Sequence, residues 1–368
     1  MRELYRYKVR MLLLLMMAAV LVACSDDADS VEGETDTLQL VPYTHGRTEV
    51  SPSSTRAVTL PTDDYSPYLG PNTIGVFTTT TDGDAPDVRT FWFENGHWNS
   101  RVNVTNSKTY YIYGYMPVKE DIHCEISQIS GKDYSQGAVL TFTNLPPVLA
   151  EDFSVVSGVL QVNSSNLDNE KGSLAAGNFR YDGKASGSNF VCLMLDHLYS
   201  AVQFKFLVKD TYNELRTIKL KKVEMMTDDQ LTYPLTVTMK DQDQVGYEVS
   251  WGTGTTLSND YISLYTNDDG ETLSTSVENA TLVNGYFAPM SDVASKLKLR
   301  CTYDVYDKDV TTEHPDGNLV RENCTAVNKL SLKTYGPNQR TKLTLTVNPT
   351  YLYVLSDPDL DNPTIVVN

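Results

Sequence analysis

The chain has 368 residues, 40% of them hydrophobic, a length that suits two domains with real cores better than one small domain. Its formal net charge is −17, and because the first 23 residues hold four bases and one acid, the remainder carries −20. A chain that acidic repels nucleic acid and anionic membrane surfaces, so neither is expected as a partner.

Residues 1–23 begin basic and continue with twelve apolar residues, Met11 to Val22. That run is too short to cross roughly 30 Å of hydrocarbon and has the shape of a secretory signal peptide. It ends Leu21-Val22-Ala23-Cys24, which resembles the bacterial lipobox, in which the cysteine is lipidated and becomes the new amino terminus. The simpler alternative is a plain signal peptide with an incidental cysteine. The following Ser25-Asp26-Asp27-Ala28-Asp29 resembles the acidic export signal of Bacteroidetes surface lipoproteins, which implies display at the cell surface.

Residues 25–36 hold six acids and no base, with little to bury, and read as a disordered tether. Next comes TLQLVPYT, whose Leu38 and Leu40 share one side of an extended piece. The stretch HGRTEVSPSSTR, residues 45–56, is polar and rich in Ser, Thr and Pro, and is expected to be exposed.

From Ala57 onward the pattern is that of strands. In AVQFKFLVK, Val202, Phe204, Phe206 and Val208 fall on one face. In KLKLRCTYDVY the face is Leu297, Leu299, Cys301, Tyr303 and Val305, with Lys296, Lys298, Arg300 and Thr302 opposite. KLTLTV repeats the scheme with Leu343, Leu345 and Val347. FWFENGHW places Asn95-Gly96 between aromatic strands, a two-residue hairpin signal. No segment sustains a helical period, so the expected fold is all-β, built from sandwiches. The Gly/Ser-rich YDGKASGSN, residues 181–189, marks the expected break between a domain at 57–185 and a second at 186–350.

Besides Cys24, the cysteines are Cys124, Cys192, Cys301 and Cys324, which allow three pairings. Cys301 and Cys324 flank a turn-like TEHPDGN and could meet across a hairpin, but buried free thiols are the expectation. None of the five histidines, His45, His97, His123, His197 and His314, has metal-ligand spacing to another histidine or to a cysteine pair. His197 leads into a core strand and reads as structural. Ser295 to Lys298 matches S-x-x-K inside an alternating strand and has no companion motif. Asp357, Asp359 and Asp361 resemble the start of a calcium loop but lack its glycine and distal glutamate. No cofactor, metal or enzymatic activity is expected. Tyr111, Tyr113 and Tyr115 share a face in TYYIYGYMP, and with Trp92, Trp98 and Trp251 they form a candidate sugar-stacking platform. Half-buried strands also favour tyrosine without any ligand.

The lipobox, the Arg56-Ala57 bond before an all-β body, YYIYGYMP and LMLDHLYSAVQFKF together resemble the fimbrillin (FimA/Mfa-like) family of Bacteroidales surface pili. That resemblance implies two transthyretin-like β-sandwich domains and a precursor that travels as a lipoprotein, anchored in the outer membrane through Cys24. It further implies an arginine-specific protease cutting at Arg56-Ala57, with Arg47 as a second candidate. The removable arm, residues 24–56, would leave a groove for a strand from another fimbrial subunit.

The tail, residues 351–368, is a surplus beyond a complete sandwich and offers Leu352 and Val354, then Ile365 and Val367. Burying four such side chains is worth roughly 6–12 kcal/mol gross, and Leu38, Leu40, Val58 and Leu60 of the resident segment offer about as much. A tethered arm holds its place through an effective concentration on the order of millimolar, which cleavage removes. The tail could instead fold back as the last strands of its own domain. The expected function is a structural subunit of a fimbrium, shaft or accessory, that contributes to adhesion to a host or bacterial surface ligand. The alternative is a surface glycan-binding lipoprotein that stays monomeric.

Overall fold

The computed structural model describes residues 35–44, 48–50, 58–59, 73–83, 85–163, 177–229, 231–240, 246–257, 261–333, 335–348 and 364–367. The amino-terminal segment supplies β1 (Thr35–Thr37), β2 (Gln39–Thr44), β3 (Thr48–Val50) and β4 (Val58–Thr59). There follow β5 (Thr73–Thr79), β6 (Arg89–Glu94), β7 (His97–Ser100), β8 (Asn103–Thr105), β9 (Thr109–Met116) and β10 (Cys124–Ser127). Next are β11 (Gly137–Leu145), β12 (Val148–Leu149), β13 (Ser154–Val162), β14 (Arg180–Asp182) and β15 (Phe190–His197). The second half contains β16 (Ser200–Val208), β17 (Thr217–Thr227), β18 (Leu231–Lys240), β19 (Tyr247–Trp251), β20 (Thr256–Leu257) and β21 (Ile262–Thr272). It ends with β22 (Thr281–Phe287), β23 (Leu297–Tyr306), β24 (Leu319–Leu330), β25 (Gln339–Asn348) and β26 (Thr364–Val367). Single-turn helices α1 (Asp210–Asn213) and α2 (Ser291–Ala294) sit in connections.

The strands form two β-sandwiches. In the first, an eight-stranded sheet ordered β2-β15-β13-β9-β5-β6-β7, with β14 beside β9, faces the sheet β10-β11-β18-β19, which carries β20 on β18. The faces meet through Tyr115 of β9, whose ring stands edge-on to Phe142 of β11 at 5.2 Å between centroids. In the second, the sheet β12-β22-β16-β25-β3-β4, with β26 on β25, faces β21-β17-β23-β24. Here the approach is so close that a Cβ on Gly285 would lie 2.9 Å from Cε of Met225.

The alternating patterns place their apolar members inside. Phe204, Phe206, Leu297, Leu299, Leu343 and Leu345 are all buried, while Lys298, Arg300 and Thr302 are only partly covered on the other face. The Asn95-Gly96 hairpin is present, with both residues left-handed at φ 56° and 82°. That is the conformation a two-residue primed turn requires, and it sets Phe93 opposite Trp98.

The strand pairings do not divide the chain at 185/186. β15 lies C-terminal to that point but hydrogen-bonds to β13, and the passage to the second sandwich falls between His197 and Ser200. β18 and β19, from the later half, return to extend the first sandwich through β11. The segment 181–189 is therefore a pinned turn within the first sandwich rather than a linker. Its Gly183 exchanges backbone hydrogen bonds with the 107–108 turn, and a Cβ there would lie 2.1 Å from the Thr105 carbonyl oxygen.

Cys124, Cys192, Cys301 and Cys324 are all buried and none is in a disulfide, and burial pushes the Cys124 and Cys301 thiols up. Cys301 and Cys324 do lie on paired strands, but Cys301 opposes Ala326 and Cys324 opposes Tyr303, so the two thiols are offset by one pleat repeat.

The outer face of β17 and β23 carries a partly desolvated ion cluster. Glu224 stands opposite Arg300 and accepts from it twice, at 2.7 and 2.9 Å, and from Lys222 at 2.7 Å. Arg300 also lies 3.9 Å over the Tyr261 ring. The Arg300 hydrogen bonds hold the Glu224 carboxyl below its ordinary value of 4.5. A carboxylate depressed in the folded state contributes its stability above the ordinary value and loses it as pH falls through the depressed one. Glu224→Gln should therefore flatten the acid limb of the stability curve below about pH 4.5, read from urea midpoints against pH. In the same assay Phe204→Ala and Leu299→Ala should each cost about 2–5 kcal/mol. Lys298→Ala loses only a partly exposed pairing with Asp228 and should leave the midpoint nearly unchanged.

Candidate functional site

The amino-terminal segment lies on the edges of both sandwiches. β1 runs antiparallel to β8, with Asp36 opposite Val104, and the Leu38 amide donates to the Val102 carbonyl at 2.8 Å. β2 then turns to lie parallel on β15, Gln39 opposite Phe190 through Thr44 opposite Leu195. Pairing with β8 on one side and β15 on the other, the arm bridges two separate parts of the first sandwich. Leu38 is fully buried and Leu40 nearly so, both within the main core. Val41 and Tyr43 point the other way, onto Val162 and Cys192. Pro42 donates no ladder hydrogen bond, which an edge strand tolerates.

The turn joining β14 to β15 grips the start of this arm. Asn189 is fully buried, and its Oδ1 accepts from the Tyr181 hydroxyl at 3.0 Å and the Lys184 amide at 2.8 Å. Two donors on Oδ1 fix the orientation of the amide, so Nδ2 must face acceptors. It donates to Asp36 Oδ2 at 3.0 Å and to the Lys184 carbonyl at 2.9 Å. The Gly187 amide donates to the same Asp36 oxygen at 2.8 Å, and the Gln39 amide donates to the Asn189 carbonyl at 2.8 Å. Hydrogen bonds, first that from Asn189, hold the Asp36 carboxyl below the usual carboxylate range.

On the second sandwich, β3 lies parallel to the start of β25, with Gln339 opposite Thr48 and Thr341 opposite Val50. β4 pairs with β3 from outside, Glu49 opposite Val58. The same edge of β25 then receives β26 from the tail, antiparallel, with Leu345 opposite Val367 and Val347 opposite Ile365. One edge is thus shared by a strand from each end of the chain. Because β3 runs with β25 and β26 against it, their carboxyl ends converge on residues 342–344.

Of the residues singled out in the sequence, Cys24, His45, Arg47, Arg56, Ala57, Leu60, Leu352, Val354, Asp357, Asp359 and Asp361 lie outside the described residues. Val58 is in β4, and Ile365 and Val367 are in β26, which pairs within its own chain. Asp36 and Asn189 carried no recognisable motif: one is among six acids of the presumed tether, the other ends a presumed linker.

The remaining candidates are structural. Tyr113 and Tyr115 are buried in the first core, Tyr113 donating to the Tyr134 carbonyl, so the proposed sugar-stacking row does not exist as a surface. Trp251 packs on Tyr199 and Trp98 on Phe93, while Arg101 covers Trp92. His197 is buried beside Asp152, 2.6 Å from Nδ1, and Ser154 Oγ approaches that same nitrogen at 3.5 Å. A catalytic relay needs the carboxylate and the hydroxyl on opposite ring nitrogens, so this trio is not one. Among the described residues no group of three or more His, Cys, Asp or Glu could hold a metal ion.

No protein-family model matches the chain, and no curated protein matches it. Among solved structures it is similar to a fimbrial protein from Bacteroides vulgatus, 14% identical, with a TM-score of 0.41 and coverage of 90% of this chain and 98% of that one. It is also similar to the fimbrial anchor protein Mfa2 from Porphyromonas gingivalis, 10% identical, with a TM-score of 0.22 and coverage of 89% and 95%.

Proposed function

We propose that the chain is a structural subunit of a cell-surface fimbrium, made as an outer-membrane lipoprotein through Cys24 and assembled by strand exchange after an arginine-specific protease cuts at Arg56-Ala57. One observation carries the reading: β1, β2 and β3 all lie upstream of Arg56, and between them they pair with open edges of both sandwiches. Cutting after Arg56 would detach all three at once. Their loss would uncover the edge of β15 and the first residues of β25, and expose the cavity that Leu38 and Leu40 fill. Edges of that kind are templates for another chain, and β-augmentation by a neighbour's strand would close them.

On this reading β26 must leave its own β25 before it can be donated. Its ladder covers four residues, Thr364–Val367, a short pairing to give up for a longer one on a neighbour. Other fimbrial subunits are therefore the principal partners, and a host or bacterial surface ligand would be met by the finished fibre. The glycan-binding alternative is weakened because Tyr113 and Tyr115, which were to stack on sugar, are core residues.

Trypsin-like cleavage at Arg56 should release the arm and yield SDS-resistant or filamentous multimers, seen by sedimentation and electron microscopy. Arg56→Ala, combined with Arg47→Ala, should remain monomeric. A chain lacking residues 351–368 should accept a strand but not donate one, so it should terminate growth when mixed with intact protein. Polymerisation of the tail-deleted chain as efficiently as the intact one would refute donation from the carboxyl end. Cys24→Ser should leave the chain unlipidated, read by metabolic labelling with a fatty acid.

A further inference from the structure

The turn at 183–189 does more than connect two strands. Asn189 is locked by five hydrogen bonds of its side chain, only one of which reaches the arm. Gly187 holds φ +78°, a conformation that a residue with a Cβ seldom adopts, and its amide donates to Asp36 of the arm. Asn189 Nδ2 and the Gly187 amide therefore converge on one carboxylate oxygen. Most of what orders the cradle comes from Tyr181, Lys184 and Ala185, none of them on the arm. The donors are thus set in place by the sandwich itself, whatever strand occupies the edge.

We propose that this turn is a carboxylate-reading subsite for a strand lying parallel on β15, selecting an aspartate two residues before the first buried aliphatic. The pattern it reads is Asp-x-Φ-x-Φ, where Φ is aliphatic, met in the arm by Asp36, Leu38 and Leu40. The inference draws on the fimbrial reading only for what replaces the arm. The chain's own tail does not fit the pattern. Setting Leu352 and Val354 in the places of Leu38 and Leu40 brings Thr350 to the cradle, and setting Ile365 and Val367 there brings Pro363. A hydroxyl supplies a weaker, uncharged acceptor, and proline supplies none from its side chain. The seat on β15 is therefore matched to its own arm, or to a foreign strand with an acidic residue at that place, over the tail of an identical copy.

The test uses the full-length chain. In hydrogen exchange followed by mass spectrometry, Asp36→Asn should speed exchange of the 37–44 amides about tenfold, since a charge-assisted hydrogen bond is roughly twice as strong as a neutral one. Exchange in β17 and β23 should not change, which separates loss of the latch from general destabilisation. Labelled peptides are then offered to the Asp36→Asn chain. The arm peptide DTLQLVPYT should be captured about tenfold better than NTLQLVPYT. The tail peptide PTYLYVLSD should gain by a similar factor when its threonine is replaced by aspartate. Unchanged arm exchange in Asp36→Asn, or equal capture of the acidic and neutral peptides, would overturn the proposal. These readouts concern the monomer, so they stand or fall independently of whether the cleaved chain forms filaments.

Discussion

A strand at the margin of a hydrophobic core presents a row of backbone donors and acceptors that must be paired, and this constraint organises the molecule. Several margins here are closed by a neighbour in sequence: β6 by β7 through the Asn95-Gly96 turn, β18 by β19, and β23 by β24. β15 and β25 are different. The outer side of β15 and the outer side of β25 receive strands from the distant amino terminus, running parallel, and a parallel neighbour cannot be supplied by a hairpin. The two margins on which the proposed function turns are those closed from afar.

The two seats are built differently. On β15 the arm has side chains in the main core, a buried polar cradle and a continuous six-residue ladder. On β25 the occupancy is divided between three residues of β3 and four of β26. The first seat resembles a lock with a defined key. The second is a common edge over which both ends of the chain are laid, and either could be withdrawn without disturbing the pairing of β25 with β16 on its other side.

Strand identity and facing were readable wherever one side of a strand met solvent. In KLKLRCTYDVY the bases alternate with core residues because only one face of β23 is buried, and period two survives. TYYIYGYM shows where that fails. β9 lies in the middle of its sheet, its last five residues are buried on both faces, and the alternating tyrosines signify packing rather than a binding surface. Composition misled at 181–189, since glycine and serine mark a flexible linker and a tightly pinned turn alike. What separates them is the close approach of the Thr105 backbone and the acceptors brought in by Lys108 and Asp36, which lie far away in sequence. The offset of Cys301 from Cys324 has a similar origin. The hairpin was legible, but the irregularities between Tyr303 and Tyr306, with Asn323 left-handed at φ 53°, set a register that spacing alone does not reveal.

The parallel seating of the arm also bears on the order in which the molecule can be built. Asp36 meets Asn189 at a sequence separation of 153, and Thr48 meets Gln339 across most of the chain. Contacts of such long range carry the largest loop-closure entropy and form after local hairpins have ordered the surfaces that receive them. A chain that emerges amino terminus first therefore exposes its arm before either seat exists. The arm spends the early life of the protein as an unpaired strand, and the folded chain is the state in which it has been put away.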